Sequence, residues 1–252
     1  MRKSCLIIGA SNGIGEALVE KYFNQGFDLV ISSRSEDKLQ QIREKLLNNN
    51  KNTENKIIVT KSDVCDSKSI EELINTTYKH HSKIDLVIFC SAIYSPTSAF
   101  SFDLEESHKI IDTNLKGAIN LLHKVLPKLE QQNFGHIAFV ASVAGYRGLP
   151  QSFAYGASKA GLINLCEGIY PELLKKNINI SLINPGFVKT RLTEKNKFSM
   201  PFIITPDKAA EAIFSGLEKK QFEIHFPKKF TIFLKILRII PNFIFLKIIK
   251  RI

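Results

Sequence analysis

The amino-acid sequence predicts an α/β fold in which a parallel sheet of about seven strands carries helices on both faces. Short apolar segments alternate along the chain with segments whose apolar residues recur at helical spacing. The apolar segments lack the alternation of a strand with one face in water, which is typical of parallel strands buried on both sides. A chain of 252 residues, 44% of them hydrophobic, suits one large domain of this kind.

The predicted strands and helices follow one another in regular order from the N-terminus. Apolar runs predict strands at residues 4–8, 29–31, 57–59, 85–90, 136–141, 178–183 and 222–226. Helical periodicity predicts helices near residues 14–26, 36–47, 70–78, 103–131, 155–176 and 206–219. Ser69 and Glu72 have the spacing of a capping box for the third of these helices.

The end of the chain differs from the rest, so we divide the protein into a domain over residues 1–227 and a tail over residues 228–252. The net charge of the chain is +11, and no acidic residue follows Glu223. Pro241 is expected to divide the tail into two short amphipathic helices. The polar residues of the tail form a narrow stripe at helical spacing on an otherwise apolar segment: Thr231, Lys235, Arg238 and Asn242.

Two partners suit a tail that is both basic and apolar. We favour the surface of an anionic membrane over a second subunit of a homodimer or homotetramer that would bury the same face. The charges and the proline argue against a helix that spans the membrane. Nucleic acid is not expected, because the basic residues are diluted among Phe, Ile and Leu. We therefore expect the protein to attach peripherally to the inner face of a membrane through the tail.

The four cysteines indicate a reduced, cytoplasmic protein, because their spacing is not that of metal ligands: Cys5, Cys65, Cys90 and Cys166.

One pair of side chains has the spacing of an acid–base centre. Tyr155 and Lys159 lie four residues apart and therefore on one face of a predicted helix. An ammonium group beside a phenol is expected to lower the pKa of Tyr155 from about 10. Ser142, at the end of the fifth predicted strand, can hold a carbonyl or hydroxyl oxygen against the phenol. The spacing alone is weak evidence, because tyrosine and lysine are both common on helices.

A glycine-rich turn follows the first predicted strand. Gly9, Gly13 and Gly15 lie where a pyrophosphate would meet a helix N-terminus, although their spacing differs from that of the common dinucleotide fingerprint. The alternative is a tight turn that needs glycine for its backbone alone. We favour a dinucleotide site, to which Ser11 and Asn12 can add polar contacts.

The end of the second predicted strand favours NADP over NAD. An Asp or Glu at this position would bind the ribose 2′-hydroxyl of NAD, whereas this chain has Ser33, Arg34 and Ser35. A guanidinium group can bind a 2′-phosphate, and a serine hydroxyl can add a hydrogen bond.

With these motifs the chain resembles the short-chain dehydrogenase/reductase family, which implies a Rossmann-type doubly wound fold. The resemblance extends from Gly9 to Thr190. It implies that Asn114 anchors a water that relays protons from Lys159 to solvent. It implies a catalytic set of Asn114, Ser142, Tyr155 and Lys159; a metal is not expected, because the cysteines lack metal-ligand spacing. It implies cofactor contacts from Gly9, Ser11, Asn12, Gly13, Ile14, Gly15, Ser33, Arg34, Ser35, Asp63, Val64, Ser91, Tyr155, Lys159, Pro185, Gly186, Val188 and Thr190.

One segment departs from the family's pattern, because Phe89-Cys90-Ser91-Ala92 stands where the family usually has Asn-Asn-Ala-Gly. Ala92 is expected to narrow the approach of the backbone to the cofactor. The resemblance implies an NADP(H)-dependent oxidoreductase that interconverts a carbonyl and a secondary alcohol, with Tyr155 as the acid–base group. Residues 191–204 are predicted to cover a small, apolar, lipid-like substrate. The alternatives are an enzyme like the 3-oxoacyl-carrier-protein reductases and a non-catalytic NADP-sensing or scaffold protein.

Overall fold

Seven parallel strands form a sheet in the computed structural model, which describes residues 2–49, 54–196 and 198–250. The strand order is β3-β2-β1-β4-β5-β6-β7, and it reverses direction between β1 and β4. In such sheets a crevice opens outside the carboxyl ends of the strands at this reversal. The predicted doubly wound parallel sheet is therefore confirmed. The strands are β1 (Ser4–Ile8), β2 (Asp28–Ser33), β3 (Ile57–Lys61), β4 (Leu86–Phe89), β5 (Gly135–Val140), β6 (Ile178–Pro185) and β7 (Glu223–Phe226).

Helices cover both faces of the sheet. The segment predicted as one helix over residues 103–131 is interrupted by a π-helical turn at Asp112–Lys116. The helices are α1 (Gly13–Asn24), α2 (Glu36–Asn49), α3 (Ser67–His80), α4 (Leu104–Ile111), α5 (Gly117–Gln132), α6 (Phe153–Leu174), α7 (Pro206–Glu218), α8 (Lys228–Ile239) and α9 (Asn242–Ile249).

Successive residues of each inner strand are buried on opposite faces. Cys5 and Ile7 pack with α1, α2 and α7, whereas Leu6 and Ile8 pack with α3, α5 and α6. Because helices cover both faces of the sheet, the residues that point to either face of an inner strand are apolar, and the strand shows no polar alternation. A fully buried aliphatic side chain stabilises the fold by about 1.5–3 kcal/mol. The two apolar layers thus fix the sheet and, with it, the position of the crevice.

The predicted capping box of α3 is wrong. The helix begins at Ser67, and the side chain of Asp66 caps it by accepting a hydrogen bond from the backbone N–H of Lys68 at 2.9 Å. The hydroxyl of Ser69 instead accepts a hydrogen bond from the backbone N–H of Asp63 at 3.0 Å. Aspartate caps a helix as well as serine does, so the sequence contained two suitable caps three residues apart.

Pro241 divides the tail into α8 and α9, as predicted. Ile240 and Pro241 both have extended backbone, with ψ near 146°, between the two helices. Within the described part of the chain, no helix is long and apolar enough to cross a membrane. The last two residues of the predicted tail, Arg251 and Ile252, lie outside the described residues.

Candidate active site

A cavity of about 290 Å³ opens in the crevice at the carboxyl ends of the central strands. It brings together every predicted site residue except Asn114. The predicted residues that line it are Gly9, Ser11, Asn12, Gly13, Ile14, Gly15, Ser33, Arg34, Ser35, Asp63, Val64, Ser91, Ser142, Tyr155, Lys159, Pro185, Gly186, Val188 and Thr190. Among the described residues, no group of three His, Cys, Asp or Glu side chains could hold a metal ion.

The turn from β1 to α1 forms one wall of the cavity. Gly9 has a φ of +85°, and a Cβ atom there would lie 2.5 Å from the backbone nitrogen of Ser91. The turn therefore needs glycine, both for its left-handed backbone and for its close approach to the segment after β4. Asn12 precedes α1 but its side chain makes no capping hydrogen bond. The N-terminal N–H groups of α1 thus face the cavity region without a side-chain cap, which suits an anionic group such as a pyrophosphate.

The end of β2 supplies positive charge to the cavity. Arg34 lines the cavity, and so does Lys38 in the first turn of α2. Lys38 was not among the predicted site residues. The acidic residues beside them, Glu36 and Asp37, are exposed in the first turn of α2 and do not line the cavity. The only sequence signal for Lys38 was its position in the first turn of a helix that follows Arg34.

Tyr155 and Lys159 lie at the centre of the cavity. The ammonium of Lys159 donates a hydrogen bond to the carbonyl of Val140 at 2.8 Å and lies 5.7 Å from the centroid of the Tyr155 ring. Ser142 precedes a 3-10 turn at Val143–Gly145, and its hydroxyl accepts a hydrogen bond from the backbone N–H of Ala144 at 3.1 Å. The end of β5 and the first turns of α6 thereby place a hydroxyl, a phenol and an ammonium in one volume.

Burial, and not Lys159, determines the pKa of Tyr155 in the protein chain. The pKa of Tyr155 is raised to about 12, chiefly by burial; a hydrogen bond with Ser142 lowers it, and the neighbouring Tyr94 raises it. A lowering of this pKa by Lys159 is therefore not found for the chain by itself, and its expected effect together with the positive ring of an oxidised nicotinamide stays a prediction. Burial also lowers the pKa of Lys159 to about 8. At neutral pH the phenol is protonated and can donate a proton.

Asn114 lies beneath the cavity in the π-helical turn and is fully buried. Its side-chain oxygen accepts a hydrogen bond from the backbone N–H of Ile93 at 2.8 Å, and its amide donates to the Ile93 carbonyl and the Ser158 hydroxyl, both at 3.0 Å. Asn114 thus ties the segment after β4 to the helix that carries Lys159. The predicted water relay is not among these contacts and stays a prediction. No pattern in the sequence indicated a role for Ser158.

Tyr94, which was not predicted, connects the acid–base pair to the segment over the cavity. Its ring packs edge-on against that of Tyr155, with centroids 5.0 Å apart. Its hydroxyl donates a hydrogen bond to the side chain of Asn196 at 2.8 Å, and Lys195 donates one to its carbonyl at 2.7 Å. Asn196 and Lys195 belong to the segment of residues 191–204, which we call the covering segment. Its residues Arg191, Leu192 and Thr193 line the cavity.

Known proteins share both the sequence pattern and the fold of this chain. Residues 3–199 match the family model described as short chain dehydrogenase. A protein of Myxococcus xanthus (strain DK1622), described as an uncharacterized oxidoreductase, is 31% identical over 244 residues, which cover 96% of this chain and 94% of the relative.

Solved structures show the same fold at lower sequence identity. A short-chain dehydrogenase/reductase from Burkholderia phymatum in complex with NAD has a TM-score of 0.85 and 20% identity, covering 93% of this chain and 92% of its own. An alcohol dehydrogenase from Thermococcus sibiricus complexed with 5-hydroxy-NADP has a TM-score of 0.80 and 24% identity, covering 90% of this chain and 96% of its own. With the family model matching most of its length, this chain belongs to the short-chain dehydrogenase family of oxidoreductases.

Proposed function

We propose that this chain is an NADP(H)-dependent oxidoreductase that interconverts a carbonyl and a secondary alcohol, with Tyr155 as its acid–base group. The observation that carries the proposal is that one cavity holds Tyr155, Lys159 and Ser142 together with the glycine turn after β1. A phenol, an ammonium and a hydroxyl are the groups that proton transfer to a carbonyl oxygen requires.

The residues present fit a nicotinamide dinucleotide. The bound cofactor supplies or accepts the hydride. The close approach of Gly9 to Ser91 and the uncapped N-terminus of α1 suit a pyrophosphate. Arg34 and Lys38 support NADP, because two cations and no carboxylate of the β2–α2 turn line the cavity. The Thermococcus sibiricus relative binds an NADP derivative and the Burkholderia phymatum relative binds NAD, so the preference rests on the side chains of this chain.

The side chains divide the work of proton transfer. Tyr155, protonated at neutral pH because its pKa is about 12, donates its proton to the carbonyl oxygen during reduction. Ser142 donates a hydrogen bond to the same oxygen and holds it against the phenol. Lys159, held by the Val140 carbonyl, would stabilise the remaining phenolate together with the positive ring of the oxidised nicotinamide when the cofactor is bound. Oxidation needs the phenolate at the start, which burial in the chain by itself disfavours.

The covering segment supports an apolar substrate. Phe198, Phe202 and Ile203 are exposed, and the ring of Phe198 lies 5.9 Å from that of Phe187, between the cavity-lining Gly186 and Val188. Large exposed apolar side chains near a cleft are typical of a site for an apolar ligand. A 3-oxoacyl chain delivered by a carrier protein would also fit this apolar surface. Activity assays with a panel of ketones that includes sterols and acyl chains distinguish this substrate from other apolar ketones.

Replacing Tyr155 with phenylalanine tests the proposal. We expect carbonyl reduction to fall by about two to four orders of magnitude, while NADPH binding, measured by fluorescence titration, stays intact. Tyr170→Phe is the matched control, because Tyr170 lies on the same helix, is exposed and does not line the cavity. Full activity of the Tyr155 variant would remove this residue from the mechanism, and binding of NADPH without reduction of any ketone by the wild-type protein would favour a non-catalytic sensor.

A further inference from the structure

The helix α8 turns polar side chains toward the domain and leaves most of its large apolar side chains exposed, although Phe230 and Leu234 pack, half-buried, against the domain core. Surface helices of globular proteins usually have the opposite arrangement. Thr231 is fully buried, and its hydroxyl lies 2.6 Å from Nδ1 of His225. Lys235 donates a hydrogen bond to the carboxylate of Glu223 at 2.6 Å. The polar stripe predicted from the sequence therefore exists, but it faces the protein.

The contact between Lys235 and Glu223 holds this orientation in place. Glu223 also accepts hydrogen bonds from Tyr146 at 2.6 Å and from the side chain of Asn184 at 2.9 Å. Burial alone would raise the pKa of Glu223, but the hydrogen bonds from Lys235, Tyr146 and Asn184 lower it below its usual value. The carboxylate is thus charged and saturated with donors, and rotating α8 to bury its apolar face would leave it without Lys235.

Arginine contacts fix the remainder of the tail. Arg238 of α8 donates a hydrogen bond to Glu167 at 3.2 Å. Arg147 donates to the side chain of Asn242 at 2.6 Å and lies over the ring of Phe245, 4.4 Å from its centroid. Phe245 is the buried anchor of α9. Both helices are therefore attached to the domain by one side, and their other side is fixed outward.

The outward side carries eight exposed large apolar residues, which together we call the outer face. Isolated exposed apolar residues are normal on proteins, but a cluster of this size marks an interaction surface. Ile239 is 81% exposed and Phe243 is 65% exposed. The outer face consists of Ile232, Phe233, Ile236, Ile239, Phe243, Ile244, Leu246 and Ile248.

Unpaired positive charges border the outer face. Four exposed lysines of the tail make no ion pair with any other residue that the structure describes: Lys228, Lys229, Lys247 and Lys250. An isologous contact between two copies would bring these basic borders together, and the tail offers no acidic residue to neutralise them. Apolar side chains bordered by lysines complement an anionic lipid surface, in which both kinds of group find a partner.

We propose that the outer face of α8 and α9 docks this protein on an anionic lipid bilayer. The helices lie in the interfacial region with their apolar side chains among the acyl chains and their lysines at the headgroups. The helix α8 adjoins the covering segment of the site, because its Phe230 packs against Phe187, with ring centroids 5.3 Å apart, and lies 6.3 Å from the ring of Phe202. The same ring lies against Gly186 in the cavity wall. Docking thus places the covering segment next to the bilayer, a position from which an apolar molecule dissolved in the lipid reaches the cavity.

Sedimentation with vesicles tests the docking independently of any catalytic activity. The full chain is mixed with vesicles of phosphatidylcholine and phosphatidylglycerol in equal parts, and with vesicles of phosphatidylcholine alone. We expect it to sediment with the anionic vesicles and to be largely released by high salt. Ile236→Glu combined with Phe243→Glu, which changes only exposed side chains, is expected to reduce the bound fraction at least about tenfold.

A control variant separates the outer face from a general effect of charge. Leu104→Glu combined with Leu174→Glu adds the same two negative charges at exposed leucines of α4 and α6 and is expected to sediment as the wild-type chain does. The proposal is overturned if the wild-type chain stays in the supernatant, or if the tail variant binds as well as the control. It is likewise overturned if gel filtration shows that the tail variant dissociates an oligomer while no protein binds vesicles, in which case a second copy covers the outer face.

Discussion

At the scale of single residues, the chemistry of the site depends on burial. The same desolvation raises the pKa of Tyr155 to about 12 and lowers that of Lys159 to about 8. Both shifts disfavour charge, so in the protein chain the phenol of Tyr155 is neutral at neutral pH, whereas Lys159 remains mostly an ammonium. Spacing predicts which side chains share a helix face. How far each side chain is removed from solvent depends instead on neighbours from other elements, such as Val140 beside Lys159 and Tyr94 beside Tyr155.

Arg34 provides a test of cofactor preference at this scale. We expect the wild-type protein to bind NADPH more tightly than NADH, and Arg34→Asp to reverse the order. A charge-assisted hydrogen bond to the 2′-phosphate is worth about 1.5–3 kcal/mol, so the loss of NADPH affinity should be about 10- to 100-fold. Fluorescence titration with both nucleotides measures the effect.

Arg43→Asp is the matched control for this prediction. It makes the same change of charge on α2, at an arginine that does not line the cavity, and should leave both affinities near their wild-type values. Equal affinities of the wild-type protein for NADPH and NADH would contradict the preference for NADP.

The sequence predicted most of the cavity wall and missed residues that only folding brings to it. The glycine turn, Ser142, Tyr155 and Lys159 belong to contiguous motifs and could be read from the chain. Tyr94 and Lys38 belong to no such motif, because Tyr94 contacts Tyr155 from the segment after β4 and Lys38 reaches the cavity from the first turn of α2. Their roles follow from contacts between distant segments, which spacing does not encode.

At the scale of elements, the turn from β1 to α1 can be tested with two glycines that share a backbone conformation. Gly9 has a φ of +85° and Gly26 a φ of +82°, but a Cβ atom would collide with Ser91 only at Gly9, since nothing lies within 4 Å of it at Gly26. Gly26→Ala should therefore cost about 1–2 kcal/mol from backbone strain alone. Gly9→Ala adds a clash with backbone and should cost roughly 3 kcal/mol or more.

Urea unfolding of the two alanine variants measures the difference, and NADPH titration completes the comparison. We expect Gly9→Ala to lose NADPH binding, because the β1–α1 turn must move away from Ser91, and Gly26→Ala to retain it. Similar unfolding free energies for the two variants would show that the turn has room for a Cβ atom, contrary to the structure.

The tail shows what amphipathic periodicity does and does not determine. The spacing of Thr231, Lys235 and Arg238 identified a polar stripe on α8, and the proline identified the break before α9. The usual expectation that polar residues face solvent is wrong for α8, because Glu223 and Glu167 from the domain provide partners for the stripe. Periodicity gives the faces of a helix, and the side chains of the surface beneath it decide which face turns inward.

At the scale of the whole molecule, the sheet was predictable because its strands are buried on both faces. A continuous apolar run such as residues 4–8 is removed from water on both faces only when helices cover both sides of the sheet. Short connections between the elements leave few possible orders for the strands. The boundaries were less predictable. β3 and β6 each extend two residues beyond the prediction, to Lys61 and Pro185, because pairing with the neighbouring strand continues into polar sequence.

The pH dependence of global stability should report a buried histidine far from the candidate active site. His136 on β5 lies with its Nε2 2.8 Å from the hydroxyl of Ser181, which in turn donates to the carbonyl of Gln221 at 2.5 Å. Because the single hydroxyl proton goes to Gln221, the histidine is the donor in the other bond. Burial, with a smaller contribution from Lys220, lowers the pKa of His136 to about 4.

The sign of the effect follows from proton uptake. Between about pH 6.5 and pH 4 the unfolded chain protonates this histidine and the folded chain does not, so acid favours unfolding. The free energy of unfolding should fall by about 2 kcal/mol on this account when the pH is lowered from about 7.5 to about 5. His136→Gln keeps a side-chain donor for Ser181 but has no titrating group. Over the same pH range, the unfolding free energy of this variant, measured in urea, should therefore fall by about 2 kcal/mol less than that of the wild-type protein. His81 and His225, whose pKa values burial also lowers, titrate equally in both proteins and cancel in the comparison. Parallel pH profiles of the two proteins would show that His136 gains its proton as easily in the folded chain as in the unfolded one.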